Sequence, residues 1–311
     1  MRLAETPIGR RVSGAAWLTG VAPELALLSV VGMWASTFIV TKAVFAEISP
    51  LAFAFARFGL ITPLAFGVLA LRGRGAARAR YWSIRRADLA RFAAAGFTGY
   101  TLYQLGFMLG LDRTSPFSSS LLISLVPLFG MLILAFGGER TPSKAWLGIA
   151  IALAGVLLFL FEKRGSGGGT VLGDALSLGA SVTFAAYGIV NRPLVRDYPP
   201  ETYSAYTVLA GSIPLLLITT PAAFDQDWGA ISALGWLAIA YMVIFPVYLA
   251  YMLWNWAIAR RGITVATSAS LLVPVVSGAL SALIFAEGFG TIKLLGAALA
   301  LTGLIVLRLW R

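Results

Sequence analysis

The sequence predicts an all-α membrane protein: ten transmembrane helices arranged as two inverted five-helix repeats, with both termini in the cytoplasm. Three observations carry that expectation. Of the 311 residues, 59% are hydrophobic and 12% are charged, with a mean hydropathy of +0.85. That balance leaves too little polar surface to face water. Apolar runs of about 20 residues, each long enough to cross about 30 Å of hydrocarbon as a helix, recur along nearly the whole chain. The second half also repeats landmarks of the first at a fixed spacing.

The N-terminal segment, 1–22, is expected to stay in the cytoplasm. Arg10 and Arg11 precede apolar residues, as in a twin-arginine signal, but the first long run begins well downstream. That run continues through Trp34 and Lys42 with no small-residue cleavage site. Gly, Pro and charge punctuation then places spans near 23–42, 50–71, 90–111, 117–137, 144–161, 171–191, 203–221, 233–257, 265–286 and 291–310. The first repeat is 23–162 and the second 171–311, joined by a Gly-rich linker at 163–170. The linker holds Gly165, Ser166, Gly167, Gly168 and Gly169; it follows a helix rather than a strand and lacks the lysine of a phosphate-binding loop.

Orientation follows from the cations. With the N-terminus inside, only Lys42, Arg113, Lys163, Arg164 and Lys293 of the 24 Lys and Arg fall outside, and Arg57 lies within the second helix. The net charge of +11 therefore marks topology and contact with anionic lipid, not a nucleic-acid surface. With no Cys and no His, disulfides and thiolate or imidazole metal sites are excluded. Neither a metal nor a cofactor is expected.

The segment ERTPSKAWLGIAIALAG, from Glu139 to Gly155, and EGFGTIKLLGAALALTG, from Glu287 to Gly303, share the spacing of Glu139, Gly148 and Gly155 with Glu287, Gly296 and Gly303. The period is about 148 residues. Five helices per unit is an odd number, so the second copy enters the membrane from the opposite side. Two inverted halves can exchange conformations, which converts an inward-open protein into an outward-open one. Pro127 and Pro274 stand at matching places, each removing a helical hydrogen bond, and are the candidate hinges. The series Gly148, Ala152, Gly155 and Gly296, Ala300, Gly303 predict close helix packing.

The opening MWASTFIVTKAVFAEISPLAFAFARF resembles the start of EamA repeats of the drug/metabolite transporter superfamily, in Trp34 to Lys42, Ser49-Pro50 and Arg57. LLISLVPLFGMLILAFGGE, from Leu121, is similar to the fourth helix of that repeat, and LLVPVVSGALSALIFAE, from Leu271, to its second copy. The resemblance implies a central cavity built by helices one, three, four, six, eight and nine, with helices five and ten peripheral. It also implies a multi-pass bacterial inner-membrane transporter of small molecules, a class that includes amino-acid exporters (the YddG type among them), sugar-phosphate and nucleotide-sugar antiporters and multidrug antiporters.

The cavity chemistry narrows that range. Multidrug members carry a glutamate eight residues before the lysine that Lys42 resembles, and here the position is Trp34. No other carboxylate lies near mid-membrane to exchange a proton or balance a cation. Phosphorylated sugars need cations on the cavity helices, and the ninth has none. Arg57 is expected to pair with helix-end carbonyls or to snorkel to a headgroup rather than bind substrate. A neutral aromatic lining remains. Tyr100, Tyr103, Gln104 and Phe107 follow i, i+3, i+4, i+7 spacing on the third helix. Tyr248, Tyr251 and Asn255, flanked by Trp254, do so on the eighth, and Ser177, Ser181, Tyr187, Ser268 and Ser270 complete the set. The substrate-binding candidates are Trp34, Tyr100, Tyr103, Gln104, Ser181, Tyr187, Tyr251 and Trp254. They suit neutral amino acids with large apolar or aromatic side chains, exported or passed by a protein that can act as a monomer in the bilayer; the alternative reading is a transporter of another small metabolite or drug class, with or without proton coupling. No catalytic residue is expected, because hydrolysis needs His, a metal or paired carboxylates.

Overall fold

The computed structural model describes residues 14–75, 78–139, 142–162 and 169–309; residues 1–13 of the N-terminal segment and 163–168 of the linker lie outside the described residues. Among the described residues the regular structure is helical throughout: α1 (Gly14–Val44), α2 (Pro50–Arg72), α3 (Arg78–Trp82), α4 (Leu89–Gly96), α5 (Tyr103–Arg113), α6 (Pro116–Ile123), α7 (Val126–Phe136) and α8 (Ser143–Glu162). The second half holds α9 (Val171–Val190), α10 (Arg192–Asp197), α11 (Pro200–Asp225), α12 (Ala233–Val243), α13 (Ala250–Ala269), α14 (Leu272–Phe285) and α15 (Thr291–Leu309). Hydroxyl caps mark where helices enter. Ser49, Ser115, Thr170 and Ser232 accept hydrogen bonds from the first-turn amides of α2, α6, α9 and α12, which would otherwise lack partners.

Eight segments are long and apolar enough to cross a membrane: Val21–Val44, Pro50–Arg72, Pro116–Phe136, Ser143–Phe161, Val171–Val190, Pro200–Asp225, Ala233–Ile258 and Thr291–Leu309. Two further candidates are the stretch from Leu89 to Arg113, diluted by polar side chains, and the shorter Leu272–Phe285. The fold is therefore an all-helical membrane protein with eight to ten candidate spans. The backbone stays helical from Ala250 to Ala269, across the break that Arg260, Arg261 and Gly262 predict between 257 and 265. Charge marks the edge of the hydrocarbon, but without a proline it does not end a helix.

Irregularities recur in both halves. A π-helical turn at Phe97–Leu102 joins α4 to α5, and another at Ile244–Leu249 joins α12 to α13. Non-helical joints at Ser124-Leu125 and Ser270-Leu271 separate α6 from α7 and α13 from α14. They precede Pro127 and Pro274 closely, because proline has no amide to continue the hydrogen bonding of the preceding turn.

The halves meet backbone to backbone along α8 and α15. Gly148 faces Leu307 and Gly303, and Gly155 faces Ala300 and Gly296; a Cβ at any of these glycines would fall under 3.0 Å from partner backbone. Lipid gives helices no hydrophobic reason to associate, so this close dispersion contact holds them together. Around the seam, Leu121, Leu125, Leu128, Ile149, Phe159, Leu304 and Leu307 form one core, and Phe53, Phe107, Met108, Leu111, Ile239 and Met242 form another.

Polar ties gather at one face of the molecule. Lys42 Nζ donates to the carbonyls of Leu111 and Asp112 at 2.9 and 2.7 Å. The Glu47 carboxylate accepts from the amide and hydroxyl of Ser232 at 2.8 and 2.9 Å. Thr114 donates to buried Asp174 at 2.7 Å, and the Phe117 ring lies against Gly278. Lys293 pairs with Glu287 at 2.8 Å amid the rings of Phe117, Phe159 and Phe289. The opposite face is rich in arginine. There Asp88, which is buried, accepts from Arg85 Nε at 2.6 Å, Arg91 Nη1 at 2.8 Å and the Tyr198 hydroxyl at 2.7 Å. Arg85 also reaches Asp197 at 2.7 Å, tying the first half to α10 in the second.

Two outcomes are expected from this packing. Leucine at Gly155 or Gly296 forces the seam apart and destabilises the protein by about 1–3 kcal/mol or more, whereas alanine at Gly32 or Gly59, which have open space beside them, leaves it unchanged. Thermal unfolding in detergent, followed by size-exclusion chromatography, measures both. The second concerns pH. The Tyr198 hydroxyl, followed by Arg85, holds the Asp88 carboxyl down at about 2 against an ordinary 3.8. A depressed carboxylate stabilises the folded state fully above 3.8 and loses that contribution as pH falls through about 2. Wild type should therefore unfold at higher temperature than Asp88→Asn near neutrality, and the gap should close across that acid window.

Candidate functional site

Aromatic side chains from several helices converge between the two halves. From α1, Trp34 lies edge-on to Tyr251 with centroids 6.0 Å apart, and 4.9 Å from Trp254, both on α13. Its indole donates to the Pro246 carbonyl in the second π-helical turn at 3.2 Å, fixing the ring between the elements. On the other side, Tyr100 packs against Tyr187 at 5.7 Å, Tyr187 against Phe184 at 5.4 Å and Phe184 against Tyr103 at 4.7 Å. Offset and edge-on rings of this kind give large contact area with phenols available at the edges.

The predicted face of the third helix is divided. Tyr100, in the π-helical turn, and Tyr103, at the start of α5, both meet α9; Tyr103 also stacks on Phe107 with centroids 6.1 Å apart, and Gln104 and Phe107 are buried. Phe107 packs edge-on to Phe38. Tyr251 remains 48% exposed and Tyr248 45%, so the phenol beside Trp34 is open to contact. The structure brings together Trp34, Tyr251 and Trp254, and separately Tyr100, Tyr103 and Tyr187. Ser181 is fully buried, with its hydroxyl donating to the Leu178 carbonyl of its own helix. Ser177 is buried too and donates to Ser119. Both hydroxyls serve helix packing in this conformation. The side chain of Asn255 lies outside the described residues.

The expected partners of Arg57 are not found. It is 5% exposed, and its Nε and Nη1 have no hydrogen-bond partner, so it neither caps carbonyls nor snorkels. It lies inside α2, away from the helix ends, and α11 packs along that helix. Sequence reading also missed Phe184, although it stands three residues from both Ser181 and Tyr187 and so shares their face. Among the described residues no cluster of acidic side chains could hold a metal ion. Buried carboxylates are confined to Asp88 and Asp174 there, each engaged at an opposite end of the molecule.

Comparison with known proteins gives this arrangement a context. An uncharacterized transporter of Archaeoglobus fulgidus is 27% identical over 91% of this chain and 97% of its own length. A protein of Streptantibioticus cattleyicolor named "Probable terminal-alkyne amino-acid exporter" is 25% identical over 72% of this chain and 74% of its own. An Escherichia coli protein named "Probable amino-acid metabolite efflux pump" is 27% identical over 60% and 66%. A protein of known crystal structure superimposes with a TM-score of 0.61 at 20% identity, over 93% of this chain and 97% of that one, a likeness of fold alone. The profile of the EamA-like transporter family matches residues 22–161 and again 171–309. With two EamA domains accounting for nearly every described residue, the chain belongs to the EamA-like transporter family and is a membrane transporter rather than an enzyme.

Proposed function

We propose that this transporter exports, or facilitates the passage of, neutral amino acids with large apolar or aromatic side chains across a bacterial inner membrane. The observation that carries the proposal is the aromatic site shared by both halves, with Trp34, Tyr100 and Tyr103 from the first and Tyr187, Tyr251 and Trp254 from the second. Such rings suit an apolar side chain, and their phenols suit a polar headgroup. Relatives bearing amino-acid exporter names favour the same substrate class. In this reading all ten helices span, the arginine-rich face with both termini is cytoplasmic, and a single chain holds the whole pathway.

The mechanism is a rocking of inverted halves about the seam of α8 and α15, with Pro127, Pro274 and the preceding joints as hinges. In this reading the ties of Glu47 and Thr114 to the second half, with Lys42 beside them, form the outer gate, closed in the described conformation. With no carboxylate at the aromatic site, flux follows the solute gradient without obligatory proton exchange.

Purified protein in liposomes should therefore show saturable flux of labelled phenylalanine or leucine at equal rates with and without a pH gradient. Strict dependence on the gradient sinks the coupling clause, and flux of some other metabolite with none of any amino acid sinks the substrate class. Alanine at Tyr100 or Tyr251 should slow that flux about tenfold, as expected for losing a central aromatic anchor.

The outer-gate assignment is tested by labelling. The chain has no cysteine, so Tyr251→Cys supplies a single thiol. A membrane-impermeant maleimide should reach it in inside-out vesicles and scarcely in right-side-out ones, and adding Lys42→Ala should raise labelling from the outside. Equal labelling from both sides without that second change would exclude a closed outer face.

A further inference from the structure

Arg57 stands in the middle of α2, where the next charged residue along the helix is Arg72 at its end. The side chain is 5% exposed, and its Nε and Nη1 have no acceptor. Its electrostatic neighbours are the phenols of Tyr103 and Tyr251, both at the aromatic site. The buried carboxylates among the described residues are engaged elsewhere, and none of the neighbours carries a negative charge. A buried cation in this state is costly unless something that visits the site completes it.

Gln104 is in a complementary condition. It is 6% exposed, and its side-chain oxygen Oε1 accepts no hydrogen bond. Register places the two near each other. Phe58 meets Tyr100 at 6.2 Å, while Phe53 and Ala54 share a core with Phe107, Met108 and Leu111. On antiparallel helices that pairing sets Arg57 opposite Tyr103 and Gln104. A donor without acceptor and an acceptor without donor therefore border the same aromatic lining.

We infer that Arg57 and Gln104 form the headgroup subsite of the transported molecule, with the guanidinium binding a carboxylate and the Gln104 oxygen receiving an ammonium. Guanidinium and carboxylate match as a planar bidentate pair, and the ammonium has donors for the remaining oxygen. The recognised class is a zwitterion carrying both groups on one carbon, its side chain lying on the rings of Trp34 and Tyr251. The inference rests on the aromatic lining being the substrate site. It adds a specificity that the lining alone does not give: acids are favoured over their esters, amides and decarboxylated amines.

The test uses the full chain in liposomes and competes labelled phenylalanine with phenylalanine methyl ester, phenethylamine and 3-phenylpropionate, for wild type, Arg57→Lys and Arg57→Met. Wild type should prefer phenylalanine to its methyl ester by about 30-fold or more, the loss expected when a buried charge is left without its partner. Arg57→Met should lose that preference, and Arg57→Lys should keep part of it. An Arg57→Met protein that is monodisperse and still prefers the acid as wild type does overturns the inference and leaves the amino-acid reading standing. If wild type carries 3-phenylpropionate but no amino acid, and the methionine variant loses it, the amino-acid reading fails and the role of Arg57 stands. Transport of phenethylamine alone overturns both. Should the variants not fold, thermal stabilisation of wild type decides: phenylalanine raising the unfolding temperature where its methyl ester does not supports the inference, and equal shifts overturn it.

Discussion

The contact on which the rest of the molecule depends is the one without side chains. Where α8 and α15 cross, Gly148, Gly155, Gly296 and Gly303 let main chain touch main chain. Dispersion at that distance replaces the hydrophobic drive that lipid cannot supply. Because the contact itself is main chain against main chain, it leaves most of the chain's polar and aromatic side chains for other uses. Those are free to gather between the halves, on α1, α5, α9 and α13. The same joint places the first-half rings Phe117 and Phe159 around Lys293 of the second half, so a charge from one repeat is completed by the apolar surface of the other.

The division of labour between the two faces has an electrostatic side. On one face the ties are short-range and mostly made by one charged group to neutral partners, as Lys42 makes to carbonyls and Glu47 to Ser232. On the arginine-rich face a single buried carboxylate, Asp88, organises two arginines and a tyrosine. A network centred on one depressed carboxyl stays intact across the whole physiological range. Proton concentration is therefore a poor signal for taking that network apart.

Much of this was legible in the sequence, and the exceptions have physical causes. The seam could be read because close packing demands small residues at a spacing no other constraint imposes, and Gly148, Gly155, Gly296 and Gly303 show it openly. The joints near Pro127 and Pro274 could be read because proline lacks a donor. The π-helical turns could not, since a shift from i+4 to i+5 bonding changes no residue type and leaves no periodic mark short enough to notice. Arg57 departs from expectation for a different reason: a lone intramembrane cation is expected to find carbonyls, and only coordinates show it buried with Nε and Nη1 unpartnered. Ser181 illustrates the converse, a hydroxyl whose spacing fits the lining while its hydrogen bond belongs to its own helix.

The paired π-helical turns also bear on how alike the two halves are. Phe97–Leu102 and Ile244–Leu249 occupy the same register in the two copies and alter the same helix of each. The likeness of the two EamA units therefore extends below the residue pattern to an irregularity of backbone hydrogen bonding, one that the residue types of the two segments do not announce.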